Sequence, residues 1–259
     1  PRIKAGFPGW HIECSAMSRA HLGHAIDIHT GGEDNIFPHH ECEIAQSFGA
    51  YRTCVHGPHG APDEGSQRKT FARYWVHGRH LLVNNRKMAK RDGNFYTVKD
   101  LLDPRGQDRE PLARELEQHG FAGGKVPANV LRFALIANQY TQQMNFSLES
   151  LAAARAGIER IQTRFDKLRE VVGENTDTSG VASDRLIELV NRAEAEFDDA
   201  LNDNLNTPNA VAAVFKAVGE LNTMTLGPSE AREALRLLDS FDEVLDVLDR
   251  TERGGLITR

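Results

Sequence analysis

Apolar residues recur at helical spacing through the second half of the chain. Residues 128–140, 147–172, 183–201, 207–226 and 229–248 place Leu, Val, Ala, Ile and Phe three and four apart, with charged residues between them. That pattern predicts five amphipathic helices. Ser147 and Ser229 suit N-caps, and Pro208 suits a first helical turn, where a missing N–H costs nothing. Gly173–Gly180 (GENTDTSG) carries no apolar residue and reads as a linker between two of the helices. Helices of this kind bury their stripes against one another, so an antiparallel helical bundle is expected.

The first half follows another rhythm. A helix is expected over 10–21, after Pro8-Gly9. Ala25-Ile26-Asp27-Ile28-His29 reads as a short strand. Thr30-Gly31-Gly32 reads as the turn leading into a loop that carries Asp34, and a further helix is expected from Pro38 to Phe48. Helix, strand, loop and helix in that order fit part of a parallel α/β sheet, in which ligands bind outside the carboxyl ends of strands. Residues 56–68 (HGPHGAPDEGSQR) are rich in Gly, Pro and polar residues and read as a loop. Tyr74–His77 and Leu81–Val83 read as strands around a turn. A basic loop with a glycine turn follows over 84–95, and Thr97 is placed to cap a helix over Val98–Leu102. The fold class is therefore α/β followed by all-α.

Composition adds limits. A chain of 259 residues accommodates one large domain or two medium ones. Its 40% hydrophobic and 26% charged residues are ordinary for a soluble globular protein. No apolar run is long enough to span a bilayer, and no secretory signal pattern is present. The chain opens on Pro1 and enters its motif-bearing segment within ten residues, which predicts a fragment or a processed chain. Cys14, Cys42 and Cys54 make an odd count without framework spacing, which suits a reducing cytoplasm. Net charge is −6, yet residues 67–105 carry ten Lys/Arg against three Asp, and residues 183–253 carry seven Lys/Arg against sixteen Asp/Glu. Such asymmetry suits a polyphosphate or nucleic-acid face beside an acidic, solvated scaffold.

Two segments carry candidate chemistry. His39 and Glu43 are four apart on an expected helix and so share one face. Cys14, on an earlier segment, can close that site from the side. Thiolate, imidazole and carboxylate together suit zinc, and three protein ligands leave a fourth position open for substrate. The plainer reading of the His-Glu spacing is a surface hydrogen bond, and the residues alone leave both open. The second segment holds Lys87, Lys90 and Arg91 on a loop, where cations can close over a polyphosphate and meet charge as it develops. The plainer reading there is a solvated basic loop.

Taken in order, PGWHIECSAM (8–17), DIHTGGEDNIFPHHECEIAQS (27–47), YWVH (74–77), RKMAKRDGNFYTVKDLL (86–102), VLRFAL (130–135) and FDDALNDNLNTPNA (197–210) resemble the cysteinyl-tRNA synthetases, a class I aminoacyl-tRNA synthetase family. The resemblance implies three regions: the C-terminal part of a Rossmann-like catalytic domain over 1–83, a KMSKS loop and connecting module over 84–127, and a DALR-like, tRNA-binding helical bundle over 128–259. Cys14, His39 and Glu43 fall on three of the four family zinc ligands. The fourth, a cysteine near the start of the enzyme, and the HIGH motif are expected upstream of Pro1, and a small anticodon-reading domain beyond Arg259.

In that family zinc takes the thiolate of substrate cysteine, which a soft-ligand metal prefers over the hydroxyl of serine. Trp10 falls on a tryptophan of the amino-acid pocket, and Asp34 on the acid that holds the substrate ammonium. Lys87 and Lys90 fall on the KMSKS lysines, with Arg91 beside them at the ATP phosphates. The implied activity is activation of L-cysteine with Mg-ATP and transfer to tRNA(Cys), by a cytoplasmic monomer carrying one zinc; the fragment alone is expected to be inactive. Ala89 and Arg91 replace serines of the family loop, and Thr30 stands where glycine is common. His11, His29 and His77 are candidates to line the adenosine site, Glu13 to orient a neighbour, and His40 and Cys42 lie close enough to substitute for the missing ligand, although Cys42, three residues from His39, is expected to pack in the helix. Cys54 is expected as a buried thiol. Two other readings remain: a ligase passing cysteine to a small amine, as the similar mycothiol cysteine ligase does, and a non-catalytic zinc- or RNA-binding remnant.

Overall fold

The computed structural model describes residues 9–23, 25–54, 71–89, 91, 94–104, 109–173 and 180–249. The chain is α/β and then all-α, and it divides into two compact units. One runs to His80 and includes Tyr140–Gln143; the other comprises Leu81–Gln139 and the chain from Met144 onward.

The first unit opens with α1 (His11–Leu22), then β1 (Ile26–Gly32). A short 3-10 turn (Glu33–Asn35) and a π-helical turn (Ile36–His40) lead into α2 (Glu41–Cys54), and β2 (Ala72–Gly78) completes the unit. β1 and β2 pair in parallel, from Ile26 opposite Ala72 to Gly32 opposite Gly78. Ser15 on α1 donates to Gln46 Oε1 on α2 at 2.6 Å, which ties the two helices together.

Two expectations change here. Thr30, Gly31 and Gly32 are not a turn; they are the last rungs of β1, opposite Val76, His77 and Gly78. The parallel ladder overrides the local glycine preference. Gly31 is needed for another reason: a Cβ there would lie 2.6 Å from Cε1 of the His40 ring, so only glycine admits that imidazole. The second change concerns Pro38. It belongs to the π-helical turn, behind an extended Phe37, and the α-helix begins only at Glu41.

The second unit begins with β3 (Leu82–Val83) and β4 (Arg86–Lys87), an antiparallel pair joined at Asn84-Asn85. Both asparagines have positive φ, 50° and 60°, as a type I′ hairpin turn requires. β5 (Asn145–Phe146) pairs in parallel with the other edge of β3. The expected pair of strands around a turn is therefore split: β2 and β3 lie in different sheets. Thr97 caps α3 (Val98–Leu102) as expected, with a reciprocal box in which Asp100 N–H donates to Thr97 Oγ1 and Thr97 N–H to Asp100 Oδ2. α4 (Glu110–Gln118) was not anticipated. Its apolar contribution is Leu112 and Leu116, too few to stand out in a polar segment.

The long helices match the apolar stripes: α5 (Ala128–Ile136), α6 (Leu148–Gly173), α7 (Asp184–Asn202), α8 (Thr207–Leu221) and α9 (Pro228–Leu245). Their buried residues form one core with Val83, Leu101, Leu116 and Phe121, so β3, α3 and α4 share a hydrophobic interior with the bundle. Ser147 holds the N-terminus of α6 by accepting from Ser150 N–H at 3.2 Å. Ser229 does not cap α9. Gly227 is the N-cap, and Glu230 accepts from Gly227 N–H, while the Ser229 hydroxyl donates to Gly180 O. Pro208 is in the first turn of α8, behind an Asn206 cap. The 56–68 loop, most of the 173–180 linker and the Cys54 side chain lie outside the described residues.

Candidate metal and amino-acid site

Trp10 immediately precedes α1, and Cys14 lies one turn into it. His39 is on the π-helical turn, and Glu43 is in the first turn of α2. The π-helical turn still carries His39 to the face that the four-residue spacing implied, with Nε2 at 2.7 Å from Glu43 Oε1. Cys14, His39 and Glu43 each present one ligand atom, and these atoms lie within 4.8 Å of one another. The Trp10 indole stacks on the His39 imidazole, centroids 3.5 Å apart, and fixes the ring's plane.

This is not a surface hydrogen bond. Glu43 is 0% exposed and His39 is buried with it. The other carboxylate oxygen, Oε2, lies 2.9 Å from His29 Nε2 on β1. Short as these contacts are, neither Glu43 oxygen nor His29 Nε2 meets hydrogen-bond geometry. A buried carboxylate without hydrogen bonds is costly, and a cation at its oxygens removes that cost. The donor set and its orphaned oxygens fit zinc.

Protonation states follow from burial. Desolvation, then the Glu43 and Glu13 charges, push the Cys14 thiol above its ordinary value. A cation beside it reverses that bias, since the thiolate is the ligand form. Desolvation lowers His39 despite Glu43, which keeps the imidazole neutral and its lone pair available. His40 is held down to about 4, by burial first and then by His29, His77 and His39.

The imidazoles form a connected cluster. His11 Nδ1 meets His39 Nδ1 at 2.7 Å, and His40 Nδ1 meets His77 Nε2 at 2.8 Å. Were a metal to take the lone pair of His39 Nε2, Nδ1 would carry the proton and donate to His11, which would fix the tautomer. His11 and His29 thus contact the proposed ligands themselves, His11 on His39 and His29 on Glu43. Glu13 is exposed, and Cys42 is outside the trio. The contact of His29 with Glu43 has no signal in the sequence, because the two residues lie on different elements that only the fold brings together.

Asp34 lies on the 3-10 turn after β1, five residues before His39, with His80 Nε2 at 2.6 Å from its Oδ2. Lys87 and Arg91 belong to the second unit. Lys87 is an exposed strand residue on β4 rather than part of a loop tip. Asn94 folds the chain back behind it, accepting from Ala89 N–H at 2.9 Å and donating to Lys87 O at 3.1 Å. Lys90 lies outside the described residues.

Residues 2–110 match the model of the tRNA synthetases class I (C) catalytic domain, and residues 196–249 match the DALR domain. The fold is also that of a chain in the crystal structure of the ternary complex of Agrobacterium radiobacter K84 agnB2 LeuRS-tRNA-LeuAMS, with a TM-score of 0.57 and 15% identity over 83% of this chain and 25% of that one. The chain therefore carries a catalytic domain of the class I tRNA synthetases, followed by a DALR domain.

Within that class its relatives are cysteine--tRNA ligases. The enzyme of Leptospira interrogans serovar copenhageni is 36% identical over 98% of this chain and 47% of its own length. Those of Salinibacter ruber and Lysinibacillus sphaericus are 36% and 35% identical, over 96% and 94% of this chain and 45% and 43% of their own lengths. The chain spans about half the length of these relatives.

Proposed function

We propose that this chain is the part of a cysteine--tRNA ligase that selects L-cysteine and assists its activation with Mg-ATP for transfer to tRNA(Cys). The observation that carries the reading is the meeting of a half-buried Cys14 with buried His39 and Glu43, whose Glu43 oxygens have no hydrogen bond of their own. Cys14, His39 and Glu43 would hold zinc, and zinc when bound supplies an open position that a thiolate fills and a hydroxyl fills poorly.

The protein side chains do the rest. Trp10 and His11 hold the His39 ring in plane and tautomer. Asp34 supplies a carboxylate for the substrate ammonium. Lys87, Lys90 and Arg91 supply charge for the ATP phosphates while the amino-acid carboxylate attacks the α-phosphorus, a reaction that needs positioning and electrostatics more than proton transfer. Asn94, by gripping the backbone on both sides of Met88, sets where that segment leaves β4.

The match of 196–249 to the DALR domain and the names of the relatives favour tRNA over a small amine as acceptor. A monomer in the cytoplasm is the accompanying expectation; among the described residues no helix is long and apolar enough to cross a membrane. The test is cysteine-dependent ATP–pyrophosphate exchange by the full natural gene product, with serine as control. Exchange with cysteine alone, lost in Cys14→Ser and Lys90→Ala, is the expected result. No exchange from the folded, zinc-loaded product overturns the proposal.

A further inference from the structure

The ladder between β1 and β2 does not end where its backbone pairing ends. Gly31 stands opposite His77 and Gly32 opposite Gly78. The next residue on each strand is Glu33 and Arg79, and the next after that Asp34 and His80. Arg79 Nε donates to Glu33 Oε2 at 3.0 Å, and His80 Nε2 lies 2.6 Å from Asp34 Oδ2. Two side-chain rungs thus continue the parallel register past the last backbone rung. Arg79 N–H also donates to Tyr140 O at 2.9 Å, which fixes the segment that leaves β2.

Asp34 has reason to need such support. Its side chain is 71% exposed, on a three-residue turn, and an exposed carboxylate held by nothing rotates freely. The imidazole holds one oxygen, Oδ2, and leaves Oδ1 to accept from a ligand.

We infer that His80 is a positioning residue for the amino-acid site, holding the Asp34 carboxylate in the orientation that receives the substrate ammonium. The inference rests on the reading of Asp34 as the ammonium acceptor. His80 touches neither the thiol site nor the Cys14, His39 and Glu43 set, so its effect is confined to ligands that carry the ammonium. The Arg79–Glu33 rung keeps the two segments together when His80 is replaced, and so separates loss of positioning from loss of structure.

The experiment is calorimetric titration of the zinc-loaded full natural gene product, wild type and variants, with L-cysteine and with 3-mercaptopropionate, which keeps the thiol and carboxylate but lacks the amine. The wild-type chain is expected to prefer L-cysteine. His80→Ala should narrow that preference by about two- to fivefold, the range for an exposed polar contact of this kind, by weakening L-cysteine alone. His80→Gln, which keeps an N–H donor, should restore it. An undiminished preference in His80→Ala, or equal weakening of both ligands, overturns the inference. Asp34→Asn separates the two claims: if it abolishes the preference while His80→Ala does not, Asp34 stands and His80 falls. A wild-type chain that binds both ligands alike, or neither, or a preference that survives Asp34→Asn, overturns the reading of Asp34 and this inference with it.

Discussion

Replacing Glu43 with Gln should change stability in opposite directions with and without zinc. Glu43 is fully buried, and its oxygens approach His39 Nε2 at 2.7 Å and His29 Nε2 at 2.9 Å without hydrogen-bond geometry. In chelator, the wild-type chain therefore carries a poorly satisfied buried charge. A neutral amide of the same shape removes the unsatisfied charge, whose burial costs on the order of 1–3 kcal/mol, and should stabilise the chelated chain by part of that. With zinc the balance reverses. A ligand that binds only the native state at a hundred times its Kd adds about 2.7 kcal/mol, which in a domain of this size raises Tm by about 10–20 °C. Glu43→Gln removes one of three protein donors and should lose nearly all of that rise. The assay is thermal unfolding in EDTA and in excess zinc, for both proteins. A variant less stable than wild type in EDTA that keeps the zinc-dependent rise would refute the reasoning, and would show Glu43 to be a structural bridge between two histidines.

Three further outcomes concern the framework. Gly31→Ala places a Cβ 2.6 Å from His40 Cε1 and 2.9 Å from its Nε2, and should cost about 1–3 kcal/mol in urea unfolding, the usual range for overpacking. Asp242, buried at the end of α9, accepts from Val247 and Leu248 N–H at 2.8 and 2.9 Å; Asp242→Ala leaves two buried donors unpaired and should cost about 2–4 kcal/mol in the same assay. His119 ends α4, and donation from its Nδ1 to Glu115 O, together with Glu149 nearby, raises its pKa. A raised histidine stabilises fully below its unfolded value of about 6.5 and loses that contribution as pH climbs through the folded value. His119→Gln should therefore lower Tm more at about pH 5.5 than at about pH 8.5, and an equal effect at both refutes the assignment.

What the sequence discloses depends on how far apart the partners are. The cap at Thr97 lies within three residues of its partner Asp100 and is legible from Thr97; the reciprocal bond that makes it a box emerges only in the structure. His39 and Glu43 were legible for the same reason, and a π-helical turn in place of the expected α-turn did not separate them. Gly31 and Gly32 misled because their neighbours suggest a turn, whereas their conformation is set by Val76, His77 and Gly78, 46 residues away. Ser229 misled because the cap depends on Glu230, which also accepts from Ser183 N–H on another helix.

Non-local pairing has one more consequence. Once Gly32 is set opposite Gly78, the sequences Gly-Glu-Asp and Gly-Arg-His run side by side, acid against base at each step. Neither segment signals the other when read alone, because a charge has no meaning without its neighbour. The complementarity becomes readable only with the register, and the register is fixed by Ile26 and Ala72, which are buried together with Phe71 at the far end of the strands. Burial of three apolar residues at one end of a two-stranded ladder thus determines which side chain meets Asp34 at the other. A substitution at Ala72 that slips the register by one residue would move Gly78 opposite Glu33 or His80 opposite Glu33, and would dismantle both rungs without touching either.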